Sequence, residues 1–248
     1  MLKRLSEAED ICVLYAVESG SRAWGFASAD SDWDVRFIYL HRPEWYLSVQ
    51  PRRDVVEMAV NGDLDVSGWD LKKALLLFAK SNPPLLEWLR SPLIYEERFS
   101  ATQKLRDLSA LYFSARACMY HYLHMAEANY REYLYSEQVR LKKYFYVLRP
   151  VLACRWIEAH GTMPPMEFSA LVTDQLPEML HQPVGLLLKR KLAGDELSVG
   201  PRLREINEFL DSEIARLNAC TVVGGPPVLP DLDLLDSTFL SVLSEVWG

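Results

Sequence analysis

The run Gly20-Ser21-Arg22-Ala23-Trp24-Gly25-Phe26-Ala27-Ser28-Ala29-Asp30-Ser31-Asp32-Trp33-Asp34-Val35 joins two segments that read as β-strands. Before it, residues 11–17 are apolar throughout, with β-branched Ile11, Val13 and Val17 among them, the pattern of a strand buried on both faces. After it, Val35-Arg36-Phe37-Ile38-Tyr39-Leu40 forms a second run that Pro43 stops. Two further runs flank Asn61-Gly62, the strongest short signal for a tight antiparallel turn, so residues 54–69 read as a β-hairpin. Helix begins at Asp70, an N-cap residue followed by Leu71, Ala74, Leu75 and Phe78 at helical spacing. Asn82-Pro83-Pro84 ends that helix, and a shorter one follows to about Leu89. From Thr102 onward strand signals nearly vanish. Helical patterns cover residues 102–134, 137–160 with a kink or break at Pro150, 175–192, 203–218 and 232–246. Gly161, Gly194 and Gly224-Gly225-Pro226-Pro227 punctuate them. The expected architecture is α+β: a small mixed-sheet domain over residues 1–100, then a helical domain over 101–248.

The chemistry concentrates in the opening run. On a strand, residues two apart share a face, so Asp32 and Asp34 stand side by side while Trp33 and Val35 turn into an apolar layer. Two neighbouring carboxylates repel unless water or a cation relieves them, and magnesium takes a few carboxylates together with water and substrate phosphates. The plainer reading is an acidic turn in which Asp34 pairs with Arg36. Gly20 tilts the balance because it allows a backbone conformation that other residues resist. Ser21 then presents a hydroxyl and an N–H, and Arg22 a fixed positive charge, where phosphate is favoured. On the far strand of the hairpin, Asp65 and Ser67 share one face and Leu64 and Val66 the other. Beside the Asp32–Asp34 strand, Asp65 adds a third carboxylate and the natural acceptor for the proton of an attacking hydroxyl. Its rivals read differently: Asp63 as a turn residue, Asp70 as the helix cap.

Composition bounds the alternatives. The 248 residues are 50% hydrophobic and carry a net charge of -7, which supports a packed core and argues against coating nucleic acid by bulk charge. Cys12, Cys118, Cys154 and Cys220 are widely spread and form no zinc-type pair, so they read as reduced core thiols. The first residues mix acids into any apolar run, and no run is long enough for a bilayer; a soluble cytoplasmic protein with no membrane partner is expected.

Gly20-Ser21, a spacer, Asp32-Trp33-Asp34-Val35 and a later acidic strand residue resemble the signature of the DNA polymerase beta nucleotidyltransferase superfamily. Four segments narrow the resemblance: Gly20-Ser21-Arg22-Ala23-Trp24-Gly25, Ser31-Asp32-Trp33-Asp34-Val35-Arg36, Asp65-Val66-Ser67-Gly68-Trp69-Asp70-Leu71 and Lys142-Lys143-Tyr144-Phe145-Tyr146-Val147-Leu148-Arg149-Pro150. In that order they are similar to nucleotidyltransferases of bacterial and phage RNA repair pathways, over most of the chain to about residue 175. The resemblance implies transfer of a nucleoside monophosphate from an NTP, ATP first, to a hydroxyl acceptor, an RNA 3′ end or a protein, with release of pyrophosphate. It implies two magnesium ions, with manganese as a substitute, held by Asp32, Asp34 and Asp65. Ser21 would touch the triphosphate. Asp30 competes with Asp32 as first ligand, but the family pattern places an apolar residue between the acids, and Trp33 meets it where Ser31 does not.

In the second half, Lys142, Tyr146 and Arg149 fall on one helical stripe, and Arg140, Lys143, Tyr144 and Val147 on another. Cations bind phosphate and a tyrosine stacks on a base, so Lys142, Lys143 and Tyr146 are nucleotide-binding candidates, against the plainer reading of a solvated face. Tyr112, Tyr120, Tyr122, Tyr130, Tyr133 and Tyr135 read as interhelical packing. His121 and His124 lack a third ligand in the sequence, and Lys189-Arg190-Lys191 reads as a solvated helix end.

Overall fold

The computed structural model describes residues 1–194, 199–221 and 230–248, so the Gly224-Gly225-Pro226-Pro227 punctuation lies outside the described residues. The chain divides into two compact units. The first holds residues 1–23, 32–112 and 228–248; the second holds residues 24–31 and 113–227. In chain order the first unit contains α1 (Leu2–Glu9), β1 (Ile11–Glu18), α2 (Gly20–Ala23), β2 (Trp33–His41), α3 (Pro43–Tyr46), β3 (Val55–Asn61), β4 (Leu64–Asp70), α4 (Leu71–Ala79), α5 (Pro83–Trp88), β5 (Ile94–Glu97) and α6 (Ala101–Tyr112). The second contains α7 (Ala115–Tyr133), β6 (Gln138–Arg140), α8 (Lys143–His160), α9 (Phe168–Gln175), α10 (Glu178–Leu192), β7 (Val199–Pro201) and α11 (Arg204–Thr221). Finally, α12 (Leu232–Trp247) returns to the first unit.

The class is mixed α+β. Five strands form one sheet in the order β3-β4-β2-β1-β5. The β2–β4 pairing is parallel; β1–β2, β1–β5 and β3–β4 are antiparallel. All eight residues of β1 are buried, the seven apolar residues 11–17 and Glu18 at its end, in a strand paired on both edges. The hairpin forms, with Asn61 as the last residue of β3 paired with Leu64 and Gly62-Asp63 as the turn; Gly62 has φ 63, a value that L side chains resist. Alternation on β2 and β4 sends Val35, Phe37, Tyr39 and Val66 into one layer with Ile11, Val13 and Val56, and α1 covers it through Leu5 and Leu2. That helix was not foreseen, because its apolar positions are few.

The second half departs from the helical reading at particular places. The pattern over 102–134 splits into α6 and α7, because the Ser114 hydroxyl accepts from the Ala117 N–H and starts a new helix. The pattern over 137–160 begins as a strand: β6 pairs with β7, and the helix starts only at Lys143. Arg140 and Lys142 are therefore not on a helical stripe; Arg140 ends β6 and Lys142 is the N-cap of α8. No break occurs at Pro150, which α8 contains; burial along most of that helix outweighs the lost N–H. The boundary expected at residue 100 falls at Tyr112, and α12 joins the first unit through an indole N–H of Trp247 donating to the His41 carbonyl at 2.9 Å. Among the cysteines, Cys12, Cys118 and Cys154 are buried free thiols, whereas Cys220 is exposed on the last turn of α11, not in the core. Among the described residues, no helix is long and apolar enough to cross a membrane.

Asp70 caps α4 as expected, accepting from the Lys72 N–H at 2.8 Å and from the Tyr46 hydroxyl at 2.6 Å. Burial pushes its carboxyl up to about 6, more than these two bonds pull it down. The folded state thus holds the proton more tightly than the unfolded chain, in which an aspartate titrates near 4. This contribution to stability is full below about pH 4 and is lost as pH rises towards 6, a change of at most about 3 kcal/mol. In Asp70→Asn, which keeps the cap acceptor, the wild-type minus variant Tm should fall between pH 4 and 6.5; a flat difference would show that Asp70 is ionised throughout.

Candidate active site

β2 and β4 meet at their first residues. The parallel register pairs Trp33 with Leu64, Asp34 with Asp65 and Arg36 with Ser67. Asp34 and Asp65 are thus neighbours on one face, about 4.8 Å apart along the hydrogen-bonding direction. Arg36, two residues along, lies on the same face, and its Nη2 contacts Asp65 Oδ2 at 2.7 Å and Asp34 Oδ1 at 3.3 Å. Its Nη1 donates to the carbonyls of Val35 at 3.1 Å and Asp65 at 3.2 Å. The pairing of Asp34 with Arg36 and the juxtaposition of Asp34 with Asp65 therefore coexist.

Glu18, the last residue of β1, is fully buried and went unnoticed in the sequence. Its Oε1 accepts the Asp34 main-chain N–H at 2.9 Å and its Oε2 accepts the Tyr95 hydroxyl. The available signal was an acid closing an apolar strand immediately before Ser19-Gly20. Burial raises the Asp34 carboxyl above the usual carboxylate range. Arg36 opposes this, while Glu18, Asp65 and Asp32 add to it. The neighbourhood thus carries more acid than one guanidinium balances.

Gly20 opens α2 with φ 61, and a Cβ built there would lie 2.1 Å from Asp34 Oδ2. Glycine is required twice over, by its backbone and by the carboxylate packed against it. The Ser21 hydroxyl follows directly on α2 and has no protein hydrogen-bond partner among the described residues. Arg22 lays its guanidinium over the Trp33 ring at 3.8 Å and donates from Nε to the Asp32 carbonyl at 3.2 Å. Asp32 is exposed and precedes β2 by one residue. Trp33 does not enter the apolar layer: it is 45% exposed, because that layer runs out at the strand end. It borders a groove of about 420 Å³ shared with Met1, Leu2, Lys3, Leu64 and Tyr95.

Asp34 and Asp65 supply hard oxygen donors, and the surplus of acid around them fits a small divalent cation. Asp32, exposed, lies two residues before Asp34. Among the described residues, no three His, Cys, Asp or Glu side chains are gathered as a ready cage. The structure brings Asp34 and Asp65 together; Asp32 flanks them at the strand mouth.

In the second unit, Lys143 sits over the rings of Tyr133 at 3.9 Å and Tyr146 at 4.7 Å. Burial, helped by neighbouring Lys142, holds its ammonium below the usual lysine range. Tyr146 is half-exposed and meets Trp24 edge-on. Arg149, expected on the Lys142–Tyr146 stripe, is buried with its guanidinium 4.5 Å from the Trp24 ring. Tyr112, Tyr122 and Tyr130 are buried as expected, but Tyr120 and Tyr135 are exposed. Lys191 is not at a solvated helix end: it is buried and donates to the hydroxyls of Ser28 at 3.2 Å and Ser31 at 2.9 Å. Asp30 lies on that same loop of the second unit, beside Gly194, and only Asp32 belongs with β2.

A model of the RNA repair pathway DNA polymerase beta family matches residues 1–241. The chain belongs to that family. Across the family's span, the chain is 46% identical over 247 residues to YcgL of Bacillus subtilis strain 168, described only as an uncharacterized protein; the match covers 99% of this chain and 95% of that protein. A solved structure of a nucleotidyltransferase-like protein from Exiguobacterium sibiricum 255-15 covers 89% of this chain and 72% of its own, at 12% identity and a TM-score of 0.29.

Because Gly20 both turns the chain and seats Asp34, Gly20→Ala should displace that carboxylate. The left-handed backbone alone costs about 1–2 kcal/mol for alanine. Urea unfolding should register a loss of that order or more; unchanged stability would show that the Gly20–Asp34 approach is not maintained in solution.

Proposed function

We propose that this protein is a magnesium-dependent nucleotidyltransferase that moves a nucleoside monophosphate from an NTP, ATP first, to an RNA 3′-hydroxyl. The observation that carries the proposal is the parallel pairing of Asp34 with Asp65 beside the Gly20 turn, within a family of RNA repair. Magnesium, when bound, would supply charge neutralisation at the α-phosphate and leaving group. Asp34 and Asp65 would hold it, with Asp32 as the additional ligand. Asp65, the more exposed of the pair, is the acceptor for the hydroxyl proton. The acceptor oxygen bonds to the α-phosphorus as the α–β phosphoanhydride bond breaks, and pyrophosphate leaves. Gly20, the free Ser21 hydroxyl and Arg22 are assigned to the triphosphate. Lys142, Lys143 and Tyr146 enter as nucleotide contacts on chemistry alone: two cations and a half-exposed ring.

The test uses the purified protein with magnesium, each α-labelled NTP, and either an RNA ending in a 3′-hydroxyl, the same RNA with a blocked end, or a protein lysate. Label on the open RNA with release of pyrophosphate is the expected result. Asp34→Asn and Asp65→Asn should each reduce it at least about 100-fold, the scale of losing several kcal/mol of charge stabilisation, with the thermal transition retained. Label on polypeptide instead would move the acceptor to a protein hydroxyl. Undiminished turnover in either variant would refute the site.

A further inference from the structure

The acid pair already holds a cation: the guanidinium of Arg36. One nitrogen, Nη2, touches both carboxylates, at 2.7 Å and 3.3 Å, and Nη1 is bonded to two carbonyls of the same strands. The Arg36 side chain is largely shielded, at 19% exposure, against 28% for Asp34 and 42% for Asp65. The contacts are charge-assisted, and they relieve the repulsion that the β2–β4 register builds in. A divalent ion seeking Asp34 and Asp65 meets these same oxygens already engaged. The 3.3 Å contact to Asp34 is the longer of the two. That contact is the first that an incoming ion would take over. The released guanidinium then needs an acceptor, and nucleotide phosphates provide one of matching fork geometry.

We propose that Arg36 is an internal counter-cation that competes with the divalent metal for Asp34 and Asp65, so that metal and nucleotide load together. The inference rests on the nucleotidyl-transfer reading and adds to it a coupling between metal and nucleotide binding. It also assigns Arg36 a role apart from that of a metal ligand or a base. Reciprocity makes it measurable: if nucleotide removes the competitor, nucleotide tightens metal binding, and metal tightens nucleotide binding by the same factor.

The experiment is calorimetric titration of Mn²⁺ into the full-length wild type, Arg36→Met and Arg36→Lys, each with and without a non-hydrolysable ATP analogue, alongside thermal melts. Arg36→Met should bind Mn²⁺ alone at least about tenfold more tightly than wild type. Nucleotide should tighten Mn²⁺ binding in wild type by a larger factor than in Arg36→Met. Without metal, Arg36→Met should melt lower than wild type, and Mn²⁺ should restore it. Arg36→Lys keeps the charge but not the fork, and its affinity should lie between the two. It provides the comparison if Arg36→Met does not fold. Equal or weaker Mn²⁺ binding in the variants, with wild type binding normally in the presence of nucleotide, would overturn the competition and leave the proposed reaction standing. No Mn²⁺ binding by any form, with or without nucleotide, would overturn the metal site and the inference with it.

Discussion

One register governs the chemistry of the first unit: β2 runs parallel to β4 with Asp34 opposite Asp65. Because side chains alternate, a slip of one residue would bring Leu64 or Val66 to that position and turn Asp65 to the other face. Several features hold the register. Val35 and Val66 are paired and both buried in the layer under α1. Gly68 is paired with Phe37, and a Cβ at Gly68 would lie 2.2 Å from the Phe37 ring. The Gly62-Asp63 turn sets where β4 begins, and Asp70 sets where it ends by capping α4. The carboxylates are thus positioned by apolar packing on the opposite face and by turns at the two ends of β4. Their own attraction for a cation is not needed to place them.

That placement is electrostatically unfavourable by itself, and the surroundings show how it is tolerated. Arg36 answers the two facing acids, and Glu18 is committed to the Asp34 N–H and the Tyr95 hydroxyl. A buried carboxylate used as an acceptor for a backbone donor fixes the position of Asp34 relative to β1. Gly20 closes the remaining side by allowing the backbone to touch the carboxylate. Asp34 is therefore contacted by β1, α2 and Arg36 at once, while Asp65 has one cationic partner and more solvent. Asp34 is thus the more tightly fixed carboxylate of the pair and Asp65 the more accessible one.

What could be read from the sequence was what depends on neighbours in sequence. The hairpin rests on a dipeptide, the cap of α4 on Asp70, the shared face of Asp65 and Ser67 on alternation alone. Gly20 beside an acidic strand was visible, although the carboxylate packed on it was not. Features set by distant residues were not visible. Glu18 acquires its role from Tyr95, Lys191 from Ser28 and Ser31, and β6 from β7. Local propensity read residues 138–140 as helix because nothing nearby announces a pairing partner sixty residues on. The return of α12 to the first unit is of the same kind: its amphipathic pattern states that it packs, not against what.

The spacer between the Gly-Ser turn and the acids shows why spacing alone left Asp30 and Asp32 in competition. The chain leaves the first unit after Ala23 and rejoins it at Asp32. Between those points it is held by the second unit. Phe26 lies against Phe145 and Phe168, Trp24 against Tyr146 and Arg149, and the buried ammonium of Lys191 holds the hydroxyls of Ser28 and Ser31. The acid nearest the turn in sequence, Asp30, thereby lies on a loop of the second unit, and the next one, Asp32, immediately before β2 in the first. The spacer is therefore anchored by packing and hydrogen bonds within the second unit. Trp33, the residue between Asp32 and Asp34, stands at the first position of β2 and is 45% exposed, beyond the apolar layer that the later residues of the strand enter.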